Sequence, residues 1–549
     1  MSVVRTCQVA VCLTALATLM MVSVATAEVG LQGVPHANAK VSGFAPPNVL
    51  SPELTEAIVA QGSMPLEHGT ADFVFYGYNG DGPMLPAPGD IQAPGHNVEA
   101  TKTEPDKNTY LVLAGQDGAD PQYNYGTHFL FQGHESGIGS PEQGYITRIN
   151  LDADGAHRVT LMASTDVDGN PLPVFDGSTW NPWAQRLLFT AEISGSGGVW
   201  QATLDYPSLV EDTSGALGHG SYEGIQNDAD GNLWIVEDAG GVNGSVAANL
   251  SHAKQPNSFI YRFVPKDPRD LKAGKLQALQ VLSLAQPGQP IVFHAGQADA
   301  DILSQDVLDL HTYGKVFQTR WITIHDTDTD GIASFDANAL AKAAGATPFK
   351  RPENGMFRPE TDFREFYFTE TGDTNALTEA GSQYGGFGAL MKLTQENPSA
   401  DTGTLTMFYQ CDVAHTGFDN LAFWSSDHLV VVEDAGDTLH TQRIALDSAY
   451  ILDLQVDYSD PTAPQLLRLL AQGRDASATI DSGLGSVAGN GFQNDGDNEI
   501  TGIHISEGDP TMGGILGAKR PQPFHVGWRV FYTQQHGDNV TYEILHTHQ

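Results

Sequence analysis

Cysteine is nearly missing from this 549-residue chain. There are three, and two of them, Cys7 and Cys12, fall in an apolar leader, leaving Cys411 alone beyond it. A single cysteine cannot close an internal disulfide, so the mature fold is not a stapled scaffold. Basic residues are also scarce: 27 Lys and Arg stand against 66 Asp and Glu, a formal net charge of −39. That balance argues against nucleic acid and anionic membrane surfaces as partners, and it repels an anionic ligand unless cations or an Arg reverse the field locally. Beyond the leader no run approaches the roughly 20 apolar residues that a membrane-spanning helix needs, so no integral membrane association is expected. Neither a Gly-x-Ser-x-Gly elbow nor a Gly-rich phosphate loop occurs, which argues against covalent serine hydrolysis and nucleotide binding.

Residues 1–27 have the pattern of a signal peptide: Arg5, an apolar stretch from Val9 to Val24, and Ala25-Thr-Ala27 before Glu28. An exported protein, periplasmic or extracellular, is expected. Residues 28–100 are rich in Gly, Pro and Asn and read as a loop-rich segment packed on the rest, with one strand near Phe73 to Tyr76. From residue 101 to 549 short β-rich runs alternate with turns, as in Tyr110 to Leu113, His128 to Gln132 and Arg186 to Thr190.

Within this stretch a segment recurs. Glu223 opens one copy, and Glu237 closes it 14 positions later; Asp419 and Glu433 bound a second copy of the same length. Looser copies run from Glu353 to Glu370 and from Glu499 to His536. Irregular self-similarity of this kind marks radial repeats, and six strand ends fit the pattern: His134-Glu135, Glu192, Glu237-Asp238, Glu370, Glu433-Asp434 and Gln535-His536. The expected fold is therefore all-β, a six-bladed β-propeller with insertions near 272–349, helical at Ala337 to Ala344, and near 507–526, a Gly- and Pro-rich loop over one channel mouth.

In a propeller, matching positions of different blades converge on one axis, so recurrent carboxylates would meet there. Crowded carboxylates raise one another's pKa or demand a cation, and calcium suits a flexible cage of oxygen ligands. The alternative is that Asp and Glu beside Gly are ordinary turn residues. Asp326, Asp328, Asp330 and Gly331 have the opening spacing of a calcium loop, but Ala337 stands where the bidentate Glu belongs, so an acidic turn capping a helix near Asp336 is the preferred reading. His546 and His548 are read as exposed chain-end histidines.

Several segments, taken in order, resemble the PhoX family of secreted alkaline phosphatases: Phe131 to Glu135, Thr179 to Trp183 with Leu188 to Glu192, Tyr222 to Ile225, Phe349 to Glu353, and Glu499 to Gly502 with Gln535 to Gly537. The resemblance implies a propeller whose channel metals serve phosphomonoester hydrolysis. Carried over residue by residue, together with the repeat carboxylates, it makes Glu135, Glu192, Glu223, Glu237, Glu353, Glu433 and Glu499 metal ligands and Arg351 and His536 catalytic. For Arg351 a phosphate contact competes with a structural salt bridge. The family's iron-binding cysteine is replaced by Ala191, the next Glu by Ile193, and the Asn before His-Glu by Gly133. Calcium is thus the expected cofactor and iron a doubtful one. The leader also lacks the Arg-Arg pair of folded-state export. The expected substrate is a small phosphate ester and the expected state a monomer. A calcium-dependent lactonase or arylesterase, or a non-enzymatic calcium-binding propeller, remains open as an alternative.

Overall fold

The computed structural model describes residues 29–40, 46–62, 64–70, 72–77, 103–135, 143–244, 253–373, 381–473, 499–535 and 539–547. Its strands form five antiparallel sheets. The first holds Pro105–Val112, His128–His134, Ile146–Asn150 and Val159–Ala163; the second holds Ser178–Asn181, Arg186–Ala191, Gly198–Ala202 and Val210–Asp212. A nine-stranded sheet runs Tyr222–Asn227, Leu233–Glu237, Ile260–Asp267, Asp270–Val281 and Phe317–Asp326, then Thr402–Gln410, Ala389–Gln395, Glu365–Glu370 and Pro352–Phe357. It is two meanders joined where Phe317–Asp326 pairs with Thr402–Gln410. The remaining sheets hold Phe418–Phe423 to Leu467–Ala471 and Glu499–Ser506 to Val540–His546.

The stretch 28–100 is more than loop. Val49–Leu50 pairs with Leu467–Ala471, and Leu54–Ala60 pairs with Val540–His546, so the start of the chain completes sheets begun by its end. Around Phe73 to Tyr76 there is a single bridge, Pro65 to Phe75, and no strand.

Local chemistry sets the hairpins. In the turn from Asp228 to Asn232, Asp228 Oδ1 accepts from the N–H groups of Asp230 (2.9 Å) and Asn232 (3.0 Å), while Gly231 takes φ +84°. The turn from Asp166 to Asn170 repeats the arrangement, with Gly169 at +82°. Helix Ala337–Ala344 falls where the sequence placed it; Asp336 caps its first turn by accepting from Ala339 N–H at 2.8 Å, and Gly345 ends it in the left-handed region. Between the halves of the nine-stranded sheet, Trp234 packs against Trp321, Phe357 and Phe366 at centroid distances of 5.0–5.1 Å.

What positions the site is the set of first strands. Pro105–Val112, Ser178–Asn181, Tyr222–Asn227, Pro352–Phe357, Phe418–Phe423 and Glu499–Ser506 each touch the next in that order, and the last touches the first, closing a ring. The 507–526 insertion leaves from Ser506, the far end of its first strand from Glu499. There Trp180 Nε1–H donates to the Pro510 carbonyl at 2.8 Å, and Ile515 is buried against the Phe357 cluster. The insertion therefore covers one end of the ring.

Candidate metal centre

At the opposite end, the same irregularity appears in four first strands. Pairing with the second strand holds at Pro105↔His134, Tyr222↔Glu237, Pro352↔Glu370 and Phe418↔Glu433, lapses for two residues, and resumes at Asn108, Ile225, Gly355 and Leu421. The first residue of each lapse is Asp106, Glu223, Glu353 or Asp419. A bulge re-aims a side chain, and here it does so four times in one register.

The result is a chain of carboxylates. Oxygens of Asp106, Glu135 and Glu499 lie within 4.8 Å of one another, as do those of Asp106, Asp176 and Glu223, of Glu135, Asp176 and Glu192, and of Glu223, Glu353 and Asp419. Asp106, Asp176, Glu223, Glu353 and Asp419 are all buried. Burial, reinforced by the neighbouring charges, pushes Asp176, Glu192, Glu223, Glu353 and Asp419 well above the usual carboxylate range. Burial also raises Asp106, with Thr501 and Lys107 opposing it.

Donors soften the crowding in places. Thr371 Oγ1–H donates to Glu353 at 2.5 Å, Asn420 Nδ2 to Asp419 at 2.9 Å, and Thr501 to Asp106. Glu223 Oε2 and Asp176 Oδ1 are buried with no hydrogen-bond partner at all. Orphaned, converging carboxylate oxygens fit a hard cation. No thiol or imidazole joins any of these groups among the described residues, and Cys411 is buried in a hydrophobic cluster elsewhere. The donor set thus fits calcium and does not fit an iron–thiolate centre.

Of the sequence candidates, the structure brings together Glu135, Glu192, Glu223, Glu353 and Glu499. It does not bring in Glu237 and Glu433. Glu237 accepts through Oε2 from Phe259 N–H (3.1 Å), the Tyr261 hydroxyl (2.9 Å) and the Asn338 amide (3.0 Å); its Oε1 is buried without a partner, but Glu237 joins no group of converging carboxylates among the described residues. Glu433 accepts from Thr416 N–H (3.0 Å), Ser448 N–H (2.9 Å) and Arg443 (2.8 Å). Both tie strands together inside the sheets. His536 lies outside the described residues.

Arg351 takes φ +55° at the edge of the ring and grips Asp238 through Nε (2.8 and 3.0 Å) and Nη2 (2.5 Å), with Glu353 at 3.6 Å from Nη2. The salt bridge considered for this residue is present, although 19 % of the side chain is still exposed. Sequence reasoning missed Asp106, Asp176, Asp419 and Lys107. One signal was available: Asp106 follows Pro105 as Glu353 follows Pro352, and Asp419 opens its repeat as Glu223 does.

The family model described as alkaline phosphatase PhoX matches residues 253–451. In the solved structures, PhoX from Pseudomonas fluorescens, in complex with the transition-state analogue vanadate, aligns over 94 % of this chain and 98 % of its own at a TM-score of 0.55 and 10 % identity. The resemblance to the PhoX family is borne out. TolB from Acinetobacter baumannii (9 % identity, 80 % of this chain, 63 % of that one) and the periplasmic gluconolactonase of Pseudomonas aeruginosa (13 % identity, 67 % and 87 %) align with TM-scores of 0.28, too low to bear on the fold. No curated protein matches the sequence. The PhoX match spans Arg351, Glu353 and Asp419. Among the described residues no helix is long and apolar enough to cross a membrane.

Proposed function

We propose that the chain is an exported phosphoesterase of the PhoX type, built as a six-bladed β-propeller and dependent on calcium for hydrolysis of a small phosphate ester. The observation that carries this reading is the ring of eight carboxylates drawn from around all six first strands, with two buried oxygens left unpartnered. The match to the PhoX family model supports the substrate class.

Asp106, Glu135, Asp176, Glu192, Glu223, Glu353, Asp419 and Glu499 would hold the cations. When bound, the cations would supply polarisation of a phosphoryl oxygen and a lowered pKa of water. The protein's own contribution is positional. Asp238 fixes the Arg351 guanidinium at the edge of the ring, where its charge faces an arriving phosphate and offsets the acidic field that would otherwise turn it away. The 507–526 insertion covers the opposite end, so substrate arrives from the Arg351 side.

The test is hydrolysis of a chromogenic phosphomonoester by metal-stripped protein resupplied with calcium alone. Turnover that returns with calcium and is lost in Arg351→Ala is the expected result. No turnover with calcium, and none with iron, would overturn the phosphoesterase reading; turnover of a lactone that survives Arg351→Ala would replace it with the carbonyl chemistry of a lactonase.

A further inference from the structure

The ring already contains one cation. Lys107, 1 % exposed, follows Asp106 in the bulge of the first sheet, so it lies one residue deeper than the carboxylates. Its Nζ donates to Asn420 Oδ1 at 2.8 Å and to the Ile503 carbonyl at 3.4 Å, which carries the ammonium across the ring to two other sheets. Asn420 occupies the matching position after Asp419. Its amide in turn donates to Asp419 Oδ1 (2.9 Å) and to Thr501 Oγ1 (3.1 Å), and Thr501 donates to Asp106. A continuous belt therefore runs from Asp106 through Thr501 and Asn420 to Asp419, with the ammonium held against it.

Both acceptors of Lys107 are neutral oxygens. Burial lowers its pKa to about 8, and the charges of Asp106, Asp419, Asp176 and Glu223, in that order, oppose the fall and keep it protonated at neutral pH. Asp106 and Asp419 share no carboxylate group directly; Glu223 alone is common to the groups that contain them. The ammonium thus stands on the side of the ring where no group of converging carboxylates spans from Asp106 to Asp419.

We infer that Lys107 is a resident cation standing in for one divalent ion, so that the ring takes up one ion fewer than its carboxylates would otherwise hold. An ammonium is a compact point charge that chelation cannot remove, and buried carboxylates left without counter-charge are strongly destabilising. Lys107 keeps the Asp106 and Asp419 sides together before any divalent ion arrives. The inference rests on the metal-binding reading of the ring.

The experiment compares the full chain with Lys107→Met, which keeps the aliphatic stem and removes the charge. Bound calcium is counted by equilibrium dialysis, and thermal midpoints are followed against free calcium. The expected result is one additional calcium per chain in the variant, a lower midpoint in chelator, and a steeper climb with the logarithm of calcium, because that slope scales with the ions taken up on folding. A variant that folds only once calcium is supplied supports the inference equally. An unchanged ion count and slope overturn it, as does a variant that will not fold at any calcium concentration, since a divalent ion then cannot take the ammonium's place. Wild-type protein that binds no calcium is a separate outcome and overturns the metal reading itself, taking this inference with it.

Discussion

Glu223 and Glu237 belong to adjacent strands of one hairpin and to one 14-residue repeat, yet their surroundings are opposite. Glu237 pairs with Tyr222 and shares its face of the sheet, where three donors reach it. Glu223 is the next residue along and points to the other face, where it meets Asp176, Glu353 and Asp419. The same split separates Asp419 from Glu433 and Glu353 from Glu370, the last of which is satisfied by Lys350 N–H (2.9 Å) and His311 (3.0 Å). The lesson is that convergence on other carboxylates, and not the residue type, decides whether a buried carboxylate is mortar or ligand: donors reach Glu353, Asp419 and Asp106 as well, but only their oxygens converge.

The largest expected effects come from neutralising one member of each class. Glu223→Gln should lower calcium-supported turnover by at least about 100-fold, because losing a ligand costs more than losing the outer-sphere partners that orient one. It should also raise the thermal midpoint of the metal-free protein by removing a repelling charge. Glu433→Gln should do the reverse. It removes one of the two carboxylates paired with the buried Arg443, Glu433 at 2.8 Å, and leaves Asp447 at 2.6 Å, so it should cost about 2 kcal/mol, while turnover per folded molecule stays unchanged. Equal losses of turnover per folded molecule in the two variants would erase the distinction.

Why the sequence shows one class better than the other follows from this geometry. The β-rich runs and the turns built on Asp-x-Asp-Gly-Asn declare themselves locally, and so does helix Ala337–Ala344 with its Asp336 cap. The closing carboxylates, Glu237 and Glu433, stand out because they end conspicuous apolar runs. Such a run is what a buried strand needs, and a Glu at its end is there to tie that strand down. Asp106 and Asp419 carry weaker signals, a preceding Pro and a matching repeat position, and pairing register shows that they sit in the same bulge as Glu223 and Glu353. Asp176 precedes its strand, and nothing in its neighbourhood marks it. The strand Leu54–Ala60 lies in a Gly- and Pro-rich stretch, and its partner is nearly 500 residues away, beyond the reach of local pattern.

The class held inside the sheets has its own pH signature. Burial raises Glu237 to about 7, although three hydrogen bonds oppose the shift. The folded pKa lies above the unfolded value near 4.5, so the folded state binds the extra proton, and the associated stability is complete below about pH 4.5 and lost as the pH rises through 7. The span corresponds to on the order of 3 kcal/mol. In calcium-loaded protein, Glu237→Gln should flatten the decline of the unfolding free energy between pH 4.5 and 7.5, measured by denaturant titration. A decline identical to wild type would show that Glu237 is not its source.

Arg351 stands between the two classes, held like mortar yet placed at the edge of the ligand ring. Asp238→Asn removes the bidentate grip and should cost about 2 kcal/mol, the low end for a buried pair, because Arg351 is partly exposed. If Asp238 serves to aim the guanidinium, KM for the phosphomonoester should rise about tenfold, with the calcium count unchanged. A stability loss with KM unaltered would assign the pair to structure alone.

The smallest effect tests the acidic cluster that sequence spacing placed nearest to a calcium loop. Asp326 accepts from Asp328 N–H at 3.0 Å, Asp328 is paired with Lys266 at 2.7 Å, and Asp330 accepts from Asp326 N–H at 2.8 Å. Its carboxylates are therefore supplied with donors, as those of Glu237 and Glu433 are, and they form no group with convergent oxygens among the described residues. Asp326→Ala should cost about 0.5–1 kcal/mol through the lost cap of the short helix Thr327–Asp330. It should leave the number of bound calcium ions untouched. One ion lost on that substitution would mean that carboxylates whose oxygens do not converge still bind metal here, and the rule separating the two classes would fail.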